Sequence, residues 1–261
     1  MDINSLPLPE PFKKKYAAFK TLTPIQEKAV KAGLLEKKSI LACAPTASGK
    51  TLIATMAIYN ILGNADCSSN NSSNSGYGGS GGNNSSSNSS SSGSSSNNNA
   101  SNTNASEQRK GKAIYLVPLK ALGTEKYKEY LALFKDSTHK VVLSTGDVDS
   151  EADYLAEYDL LILTTEKLDS LLRHRVGWLS EVKTVIVDEI HLLNDTSRGP
   201  TLEIILTLLK SLIKPQIIGL SATIGNPKEL SEWLGATLII DEWRPVELKK
   251  GIHADKETEY Y

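Results

Sequence analysis

Seven short apolar runs, separated by stretches with helical spacing, limit most strongly what this chain can fold into. Most of the runs are continuously apolar rather than alternating, which is typical of strands covered by helices on both faces. Strands that alternate with helices predict an α/β fold with a doubly wound, mostly parallel sheet of about seven strands. The runs lie at residues 39–44, 113–117, 140–144, 159–164, 184–188, 216–221 and 237–240.

The segments between the runs have the spacing of amphipathic helices. In a doubly wound sheet, ligands bind beyond the carboxyl ends of the strands, so the residues that follow each run are the candidates for function. The predicted helices lie at residues 51–62, 124–134, 167–175, 200–213 and 226–234.

A low-complexity tract interrupts this pattern at residues 66–106, where 35 of 41 residues are Ser, Asn or Gly. Such a composition cannot bury enough apolar surface to offset the entropy of ordering it. We therefore predict one domain over 1–261 with a disordered insertion at 66–106. A linker is the simplest interpretation of the tract, and partner docking or condensation is the alternative.

The bulk composition excludes several classes of protein. The net charge is −1, so any contact with a polyanion has to come from a local surface. The two cysteines, Cys43 and Cys67, are too few for a disulfide framework or a zinc cluster, and Cys43 reads as a small core residue. No apolar segment approaches the roughly 18 residues that span a membrane. We expect a soluble, cytoplasmic protein without membrane contact.

The segment "APTASGKT" follows the first run and opens a predicted helix, which is the context of a phosphate-binding loop. Ala44 stands where the general pattern has its first Gly. In this loop, backbone N–H groups converge on phosphate oxygens, Lys50 reaches the β- and γ-phosphates, and the Thr51 hydroxyl ligates Mg²⁺. A fortuitous turn is the alternative. The predicted nucleotide-binding residues are Pro45, Thr46, Ala47, Ser48, Gly49, Lys50 and Thr51.

The segment "DEIH" follows the fifth run and places Asp188 and Glu189 at a strand end. Unpaired buried carboxylates are costly, so folding alone explains them poorly, although a solvated turn is the alternative. A Mg²⁺ ion beside Asp188 and an activated water beside Glu189 give both charges a purpose. Together with the loop, the pair predicts hydrolysis of a nucleoside triphosphate by in-line attack of water. Spacing leaves open whether His191 caps or packs.

Three further strand ends carry polar residues that are less informative alone. Ser221 and Thr223 follow the sixth run, where they either join a hydrogen-bond network or cap the next helix. The segments "PLKAL" and "TTEKL" follow the second and fourth runs. Thr164 and Thr165 suit a helix N-cap, yet hydroxyls, helix N-termini and a lysine also suit phosphate contacts.

Taken together, these segments resemble the superfamily-two helicases of the DEAD/DEAH-box type. The motifs occur in the order of that family: "LTPIQ", "APTASGKT", "PLKAL", "TTEK", "DEIH" and "SAT". The longer passages "VDEIHLLNDTSRGPTLE" and "LSATIGNPKELSEWL" are similar to the superkiller-like branch. Within that branch, they are most similar to archaeal DNA helicases associated with Holliday-junction migration and stalled-fork repair. The resemblance covers nearly the whole chain outside the tract.

The resemblance implies roles for individual residues. Gln26 would read the adenine, which makes ATP the nucleotide; otherwise it is an exposed polar residue of a helix. Lys50, Asp188 and Glu189 would be catalytic, with Asp188 and Thr51 holding Mg²⁺. Arg198 could equally form a surface salt bridge. Coupling of hydrolysis to domain movement is implied for His191, Ser221 and Thr223, and a place along the single-strand path for Pro118, Lys120, Thr165 and Arg198.

The resemblance also implies a second RecA-like domain, which supplies arginine fingers and completes the ATP cleft. The chain ends soon after "WRPVELKKG", so residues 241–261 are expected to begin the linker to that domain. A truncated chain, a split-gene product with a separate partner chain and a free-standing remnant remain open.

We therefore expect half of an ATP-dependent DNA helicase that acts on single-stranded or branched DNA in repair and recombination. The alternatives are an ATP- and nucleic-acid-binding module that is inactive without a partner chain, and half of an RNA helicase. Another phosphate-loop enzyme, such as a kinase, would need a substrate pocket that the sequence does not indicate.

Overall fold

The computed structural model describes residues 1–63, 111–146, 153–222 and 224–246, together with the backbone at 251–254 and 257–260. The predicted insertion at 66–106, with Cys67, lies outside the described residues, and so does Thr223.

Among the described residues, seven strands form one sheet in the order β3-β4-β2-β5-β6-β1-β7. Every neighbouring pair in this sheet is parallel, which confirms the predicted doubly wound α/β fold. The strands are β1 Ile40–Cys43, β2 Lys112–Val117, β3 Val141–Ser144, β4 Leu160–Thr164, β5 Val182–Val187, β6 Gln216–Ser221 and β7 Thr237–Ile240.

The side chains of each strand alternate between two helical layers, because successive residues of a strand point to opposite faces of the sheet. Ile40 and Ala42 of β1 join one buried cluster, and Leu41 and Cys43 join the other. The first layer contains α1 Glu10–Lys15, α2 Pro24–Lys31, α3 Lys50–Leu62 and α4 Lys120–Leu133. The second contains α5 Thr165–Arg173, α6 Gly199–Leu212 and α7 Pro227–Leu234.

Short 3₁₀ helices connect several of these elements. They lie at Ile3–Ser5, Asp153–Glu157, Gly177–Glu181 and Ile190–Asn194. None of the helices in the described ranges is long and apolar enough to cross a membrane.

Three elements have no counterpart among the helices and strands predicted from the apolar pattern: α1, the eight-residue α2 and a terminal hairpin. Helix α1 is six residues long and contributes Phe12 as its buried residue, which is too little for a periodic signal. The segment predicted as a linker contains an antiparallel hairpin, β8 Gly251–Ala254 with β9 Glu257–Tyr260, neither strand of which is a continuous apolar run. That residues 241–261 lead to a further domain stays a prediction.

The strand order divides the candidate site residues into two groups. The carboxyl ends of parallel strands meet at one edge of a sheet, and β1, β6 and β5 are consecutive neighbours there. The phosphate loop, Ser221 and the Asp188-Glu189 pair therefore share one half of that edge. The segments after β2 and β4 lie on the other half, beyond β5.

Candidate functional site

The loop between β1 and α3 adopts a backbone shape suited to anions. Ala47 has a φ of 64° and Gly49 a φ of 90°, both in the left-handed region. Alternation of right- and left-handed residues turns successive N–H groups toward one point, as in anion-binding nests. A left-handed conformation costs a non-glycine residue about 1–2 kcal/mol, so strain at Ala47 is retained in the loop.

Lys50 begins α3, and its ammonium group folds back across this loop. Its Nζ donates hydrogen bonds to Ala44 O at 2.6 Å and to Pro45 O at 2.8 Å. Burial lowers the pKa of Lys50, while the negative charges of Glu189 and Asp188 oppose that shift. The lysine therefore lies within electrostatic range of both carboxylates. Ala44 is fully buried, and its carbonyl anchors the lysine.

Gln26 is buried and contacts the phosphate loop, so the alternative of an exposed helix residue is wrong. Its Oε1 accepts a hydrogen bond from the Thr23 N–H at 2.9 Å, and its Nε2 donates to Gly49 O at 2.9 Å. Thr23 Oγ1 also donates to Ser48 O at 3.0 Å. The φ of Gly49 disfavours other residues, and a Cβ there would lie 2.4 Å from Gln26 Nε2 and displace that amide. The cap of α2 is thus tied to the loop.

The remaining predicted loop residues surround this core. Thr46 and Ala47 are exposed, Pro45 and Ser48 are buried, and Thr51 is half-buried at the start of α3. The Ser48 hydroxyl has no hydrogen-bond partner in the part of the chain that the structure describes.

Asp188 follows β5 with both carboxylate oxygens held. Its Oδ2 accepts a hydrogen bond from the Tyr115 hydroxyl at 2.8 Å, and its Oδ1 accepts from the Glu189 N–H at 3.0 Å. Tyr115 is fully buried, and burial raises its pKa well above the ordinary value, so the phenol stays a donor. Sequence reasoning missed Tyr115, because a tyrosine inside an apolar run carries no signal of such a contact.

Glu189 has a φ of 52°, a second strained non-glycine residue beside the loop. It precedes the 3₁₀ helix Ile190–Asn194, whose first residue is fully buried. His191 Nδ1 lies 3.2 Å from Glu189 Oε2, without the alignment of a hydrogen bond. His191 therefore neighbours the carboxylate that the sequence predicts as catalytic.

Ser221 ends β6, between the phosphate loop and the carboxylate pair. It pairs with Cys43 in the sheet, and its carbonyl accepts a hydrogen bond from the Ala44 N–H at 3.2 Å. The Ser221 hydroxyl is buried and has no hydrogen-bond partner among the residues that are described. Its neighbour Thr223 lies outside them.

A cavity of about 480 Å³ opens beside the loop and is lined by Gln26, Gly49 and Thr51. Aromatic residues from two distant parts of the chain also line it, namely Tyr16, Phe19 and Trp243. Phe19 is 62% exposed and Trp243 41% exposed. Sequence reasoning missed these aromatic residues, since neither segment has a periodic pattern that would place it at this edge.

The segment that carries Trp243 is pinned to the helix that carries Gln26. Lys28 Nζ of α2 lies 2.8 Å from Asp241 Oδ2, and Asp241 Oδ1 accepts a hydrogen bond from the Trp243 N–H at 2.8 Å. Burial raises the pKa of Asp241, but the hydrogen bonds from Lys28 and Trp243 outweigh it and hold that pKa below the ordinary value. The carboxylate therefore stays charged and fixes the turn.

The other half of the edge contains the predicted nucleic-acid residues. Pro118, Lys120 and Arg198 line a second cavity, of about 290 Å³, with Leu119, Thr145, Thr164 and Glu166. Lys120, Leu119 and Glu166 are exposed. The ion pairs found among the described residues do not include Arg198, so its salt-bridge alternative gains no support. Leu119, Thr145 and Glu166 were not predicted from the sequence.

The segment after β4 was predicted either to cap a helix or to contact phosphates, and its two threonines, Thr164 and Thr165, have different surroundings. Thr164 Oγ1 accepts a hydrogen bond from the Lys167 N–H at 3.4 Å, so Thr164 caps α5. Thr165 is buried and lines a small space with Pro118, Asp188 and Arg198. It therefore lies between the two halves of the edge.

The residues present fit a magnesium ion. Carboxylate and hydroxyl oxygens are the ligands that Mg²⁺ prefers, and it is usually bound by one or two carboxylates together with substrate phosphates. Asp188, directly after β5, and Thr51, in the first turn of α3 after β1, supply such oxygens at the same edge of the sheet. In the described part of the chain, no group of three or more His, Cys, Asp or Glu residues could cage a metal.

Fold and site define a phosphate-loop nucleotide-binding domain of the RecA-like type, with the loop after β1 and the carboxylate pair after β5. The chain belongs to the DEAD/DEAH box helicase family, whose model matches residues 23–230. The resemblance inferred from the motifs is thereby confirmed.

Sequence relatives support the same family. The chain is 46% identical over 240 residues to the ATP-dependent DNA helicase Hel308 of Methanocaldococcus jannaschii, which covers 92% of this chain and 17% of the relative. It is 43% identical over 234 residues to Hel308 of Pyrococcus abyssi, covering 88% of this chain and 26% of the relative. The chain thus spans 17% and 26% of the length of these two relatives.

Solved structures show the same fold. The DUF1998 helicase MrfA matches with a TM-score of 0.65 at 22% identity, over 92% of this chain and 33% of that one. MrfA bound to DNA and AMPPNP matches with a TM-score of 0.65 at 21% identity, over 91% and 29% of the two chains.

Proposed function

We propose that the chain is the ATP-binding and hydrolysing domain of an ATP-dependent DNA helicase that acts on single-stranded or branched DNA in repair and recombination. The observation that carries this proposal is the meeting of Lys50, Asp188 and Glu189 at one sheet edge, next to a cavity lined by Gln26. The relatives are named ATP-dependent DNA helicases, and the chain corresponds to part of their length.

The cavity suits adenine as the base. Each of the two polar atoms of the Gln26 amide makes one hydrogen bond, which leaves one N–H and one lone pair available. Glutamine pairs in this way with the N6 and N7 atoms of adenine. Phe19 and Trp243 offer exposed aromatic faces to the same space. These features support ATP as the nucleotide.

The chain's own residues divide the work of hydrolysis. The amides of residues 47–51 bind phosphate oxygens, and Lys50 exchanges its two loop carbonyls for the β- and γ-phosphates. Thr51 and Asp188 would hold Mg²⁺, which when bound neutralises charge on the phosphates. Glu189 orients the attacking water and accepts its proton.

The coupling and nucleic-acid roles rest on position. His191 contacts Glu189 and Ser221 lies beside the loop, so both can transmit the state of the nucleotide; Thr223 stays a prediction. Lys120 and Arg198 supply local positive charge for phosphates, beside Pro118 and Thr165. RNA remains the alternative to DNA as the bound nucleic acid. A separate chain with the second RecA-like domain and a cytoplasmic location also stay predictions.

ATP hydrolysis with and without single-stranded DNA tests the proposal. We expect DNA to stimulate turnover, and Glu189→Gln to lower it by about 10²- to 10⁴-fold while ADP still binds. Glu232→Gln, an exposed glutamate of α7, is the matched control. RNA and a candidate second-half chain are added separately.

The outcomes separate the candidate functions. Strong DNA-stimulated turnover that survives Glu189→Gln contradicts the assignment of Glu189. Nucleotide binding with turnover only after addition of the second-half chain identifies the module that is inactive alone. Stimulation by RNA and not by DNA identifies an RNA helicase domain.

A further inference from the structure

One buried tyrosine contacts a predicted magnesium ligand directly, and a second reaches the other predicted ligand through Thr55. Tyr115 lies on β2, which neighbours β5, and its backbone pairs with Ile186 two residues before Asp188. Its hydroxyl donates to Asp188 Oδ2 at 2.8 Å. Since the Glu189 N–H holds Oδ1, this second contact fixes the plane of the carboxylate relative to the sheet.

The second tyrosine acts on the phosphate-loop side. Tyr130 of α4 is fully buried, and its hydroxyl lies 3.2 Å from Thr55 Oγ1. Thr55 in turn donates to Thr51 O at 3.1 Å. Because the Thr55 hydroxyl has one hydrogen, which goes to Thr51, Tyr130 is the donor to Thr55. This chain of contacts fixes the first turn of α3.

Ring contact joins the two halves of this arrangement. The rings of Tyr115 and Tyr130 have centroids 5.6 Å apart and planes inclined by 54°, within the range of favourable aromatic pairs. Thr55, Tyr115 and Tyr130, called here the tyrosine brace, therefore form a continuous buried connection between Thr51 and Asp188. Thr51 lies in α3, which follows β1, whereas Asp188 follows β5.

Packing alone does not explain why Tyr115 and Tyr130 carry hydroxyl groups. Phenylalanine would fill the same apolar space without the penalty of burying a polar group. A buried hydroxyl is retained at no loss only where it makes a hydrogen bond, and both phenols aim theirs at the two metal-binding segments. Partners of a metal-binding carboxylate orient it and raise the affinity for the metal.

We propose that Tyr115 and Tyr130 are positioning residues for the magnesium site, which hold Asp188 and Thr51 in the relation that Mg²⁺ requires. This inference rests on the proposed function. It assigns Tyr115 the larger effect, because Tyr115 contacts the carboxylate directly whereas Tyr130 acts through Thr55 on a backbone carbonyl.

Binding of a fluorescent ADP analogue, measured in EDTA and at increasing Mg²⁺ concentrations, tests the inference on the full 261-residue chain. We expect Tyr115→Phe to raise the Mg²⁺ concentration for half-maximal effect about tenfold, and Tyr130→Phe about threefold. Affinity in EDTA and the thermal unfolding midpoint should stay close to those of the unaltered chain. Tyr59→Phe is the matched control, since this buried tyrosine of α3 donates to Leu133 O instead.

Each result has one reading. An unchanged Mg²⁺ dependence in Tyr115→Phe, with normal binding in EDTA, overturns the inference and leaves the proposed function standing. An equal change in Tyr59→Phe also overturns it. If the unaltered chain binds no nucleotide, the proposed function fails and the inference with it. Should Tyr115→Phe fail to fold, Tyr130→Phe decides by the same Mg²⁺ dependence.

Discussion

The two halves of the carboxyl edge of the sheet are built differently. Around β1, β6 and β5, the side chains of Lys50, Gln26 and Asp188 are hydrogen-bonded within the protein, with Gln26 buried and the other two half-buried. Beyond β2 and β4, Lys120 and Glu166 are exposed, and an open cavity separates them from Arg198. Under the proposed function, the first half has the rigidity that in-line chemistry requires, and the second has the adaptability that suits a flexible polymer.

Removal of the phosphate-loop lysine gives the largest effect expected from this contrast. We expect Lys50→Ala to weaken ATP and ADP binding about a hundredfold, because charge-assisted hydrogen bonds to phosphates are lost. Isothermal titration calorimetry measures the affinities for both nucleotides. Lys183→Ala, an exposed lysine of β5, serves as control. Unchanged affinity in Lys50→Ala would mean that the rigid half does not bind phosphates.

A smaller effect is expected at the aromatic residues that line the cavity beside the phosphate loop. We expect Trp243→Ala to weaken ADP binding about tenfold, in the range of base–aromatic stacking, and to leave binding of inorganic tripolyphosphate unchanged. Competition with a fluorescent nucleotide measures both ligands. Val246→Ala, which removes a 75% exposed side chain of the same segment, is the control. Equal losses for ADP and tripolyphosphate would place Trp243 outside base recognition.

The smallest effect is expected in the second half of the edge, beyond β2 and β4. Lys120→Ala should weaken single-stranded DNA binding several-fold, and should lower the slope of log affinity against log salt concentration by about 0.7, the value for one phosphate contact. Nucleotide affinity should not change. Fluorescence anisotropy at several salt concentrations measures the slope. Lys128→Ala, an exposed lysine of α4, is the control, and a matching loss there would remove the distinction between the two halves.

Much of the fold was predictable because most of its signals are local. Continuous apolar runs located all seven strands of the sheet to within two residues at either end, since buried parallel strands need apolar side chains on both faces. Helices α1 and α2 and the terminal hairpin were not predicted, because helices of six and eight residues are too short for a clear period and the hairpin strands are not continuous apolar runs. The positions of Lys50 and Asp188 at one sheet edge were predictable because their motifs follow strands, whereas their roles stay predictions.

The sequence by itself determined the parallel α/β class, the phosphate loop and the Asp-Glu pair, because each depends on residue types at short spacing. Only the tertiary structure decided which residues contact the phosphate loop and the Asp-Glu pair. The strand order put Tyr115 behind Asp188, the cap of α2 turned Gln26 into the loop, and the turn after β7 brought Trp243 to the cavity beside the phosphate loop. Such contacts join residues tens to hundreds of positions apart. They follow from sheet register and helix packing, which no short stretch of sequence encodes.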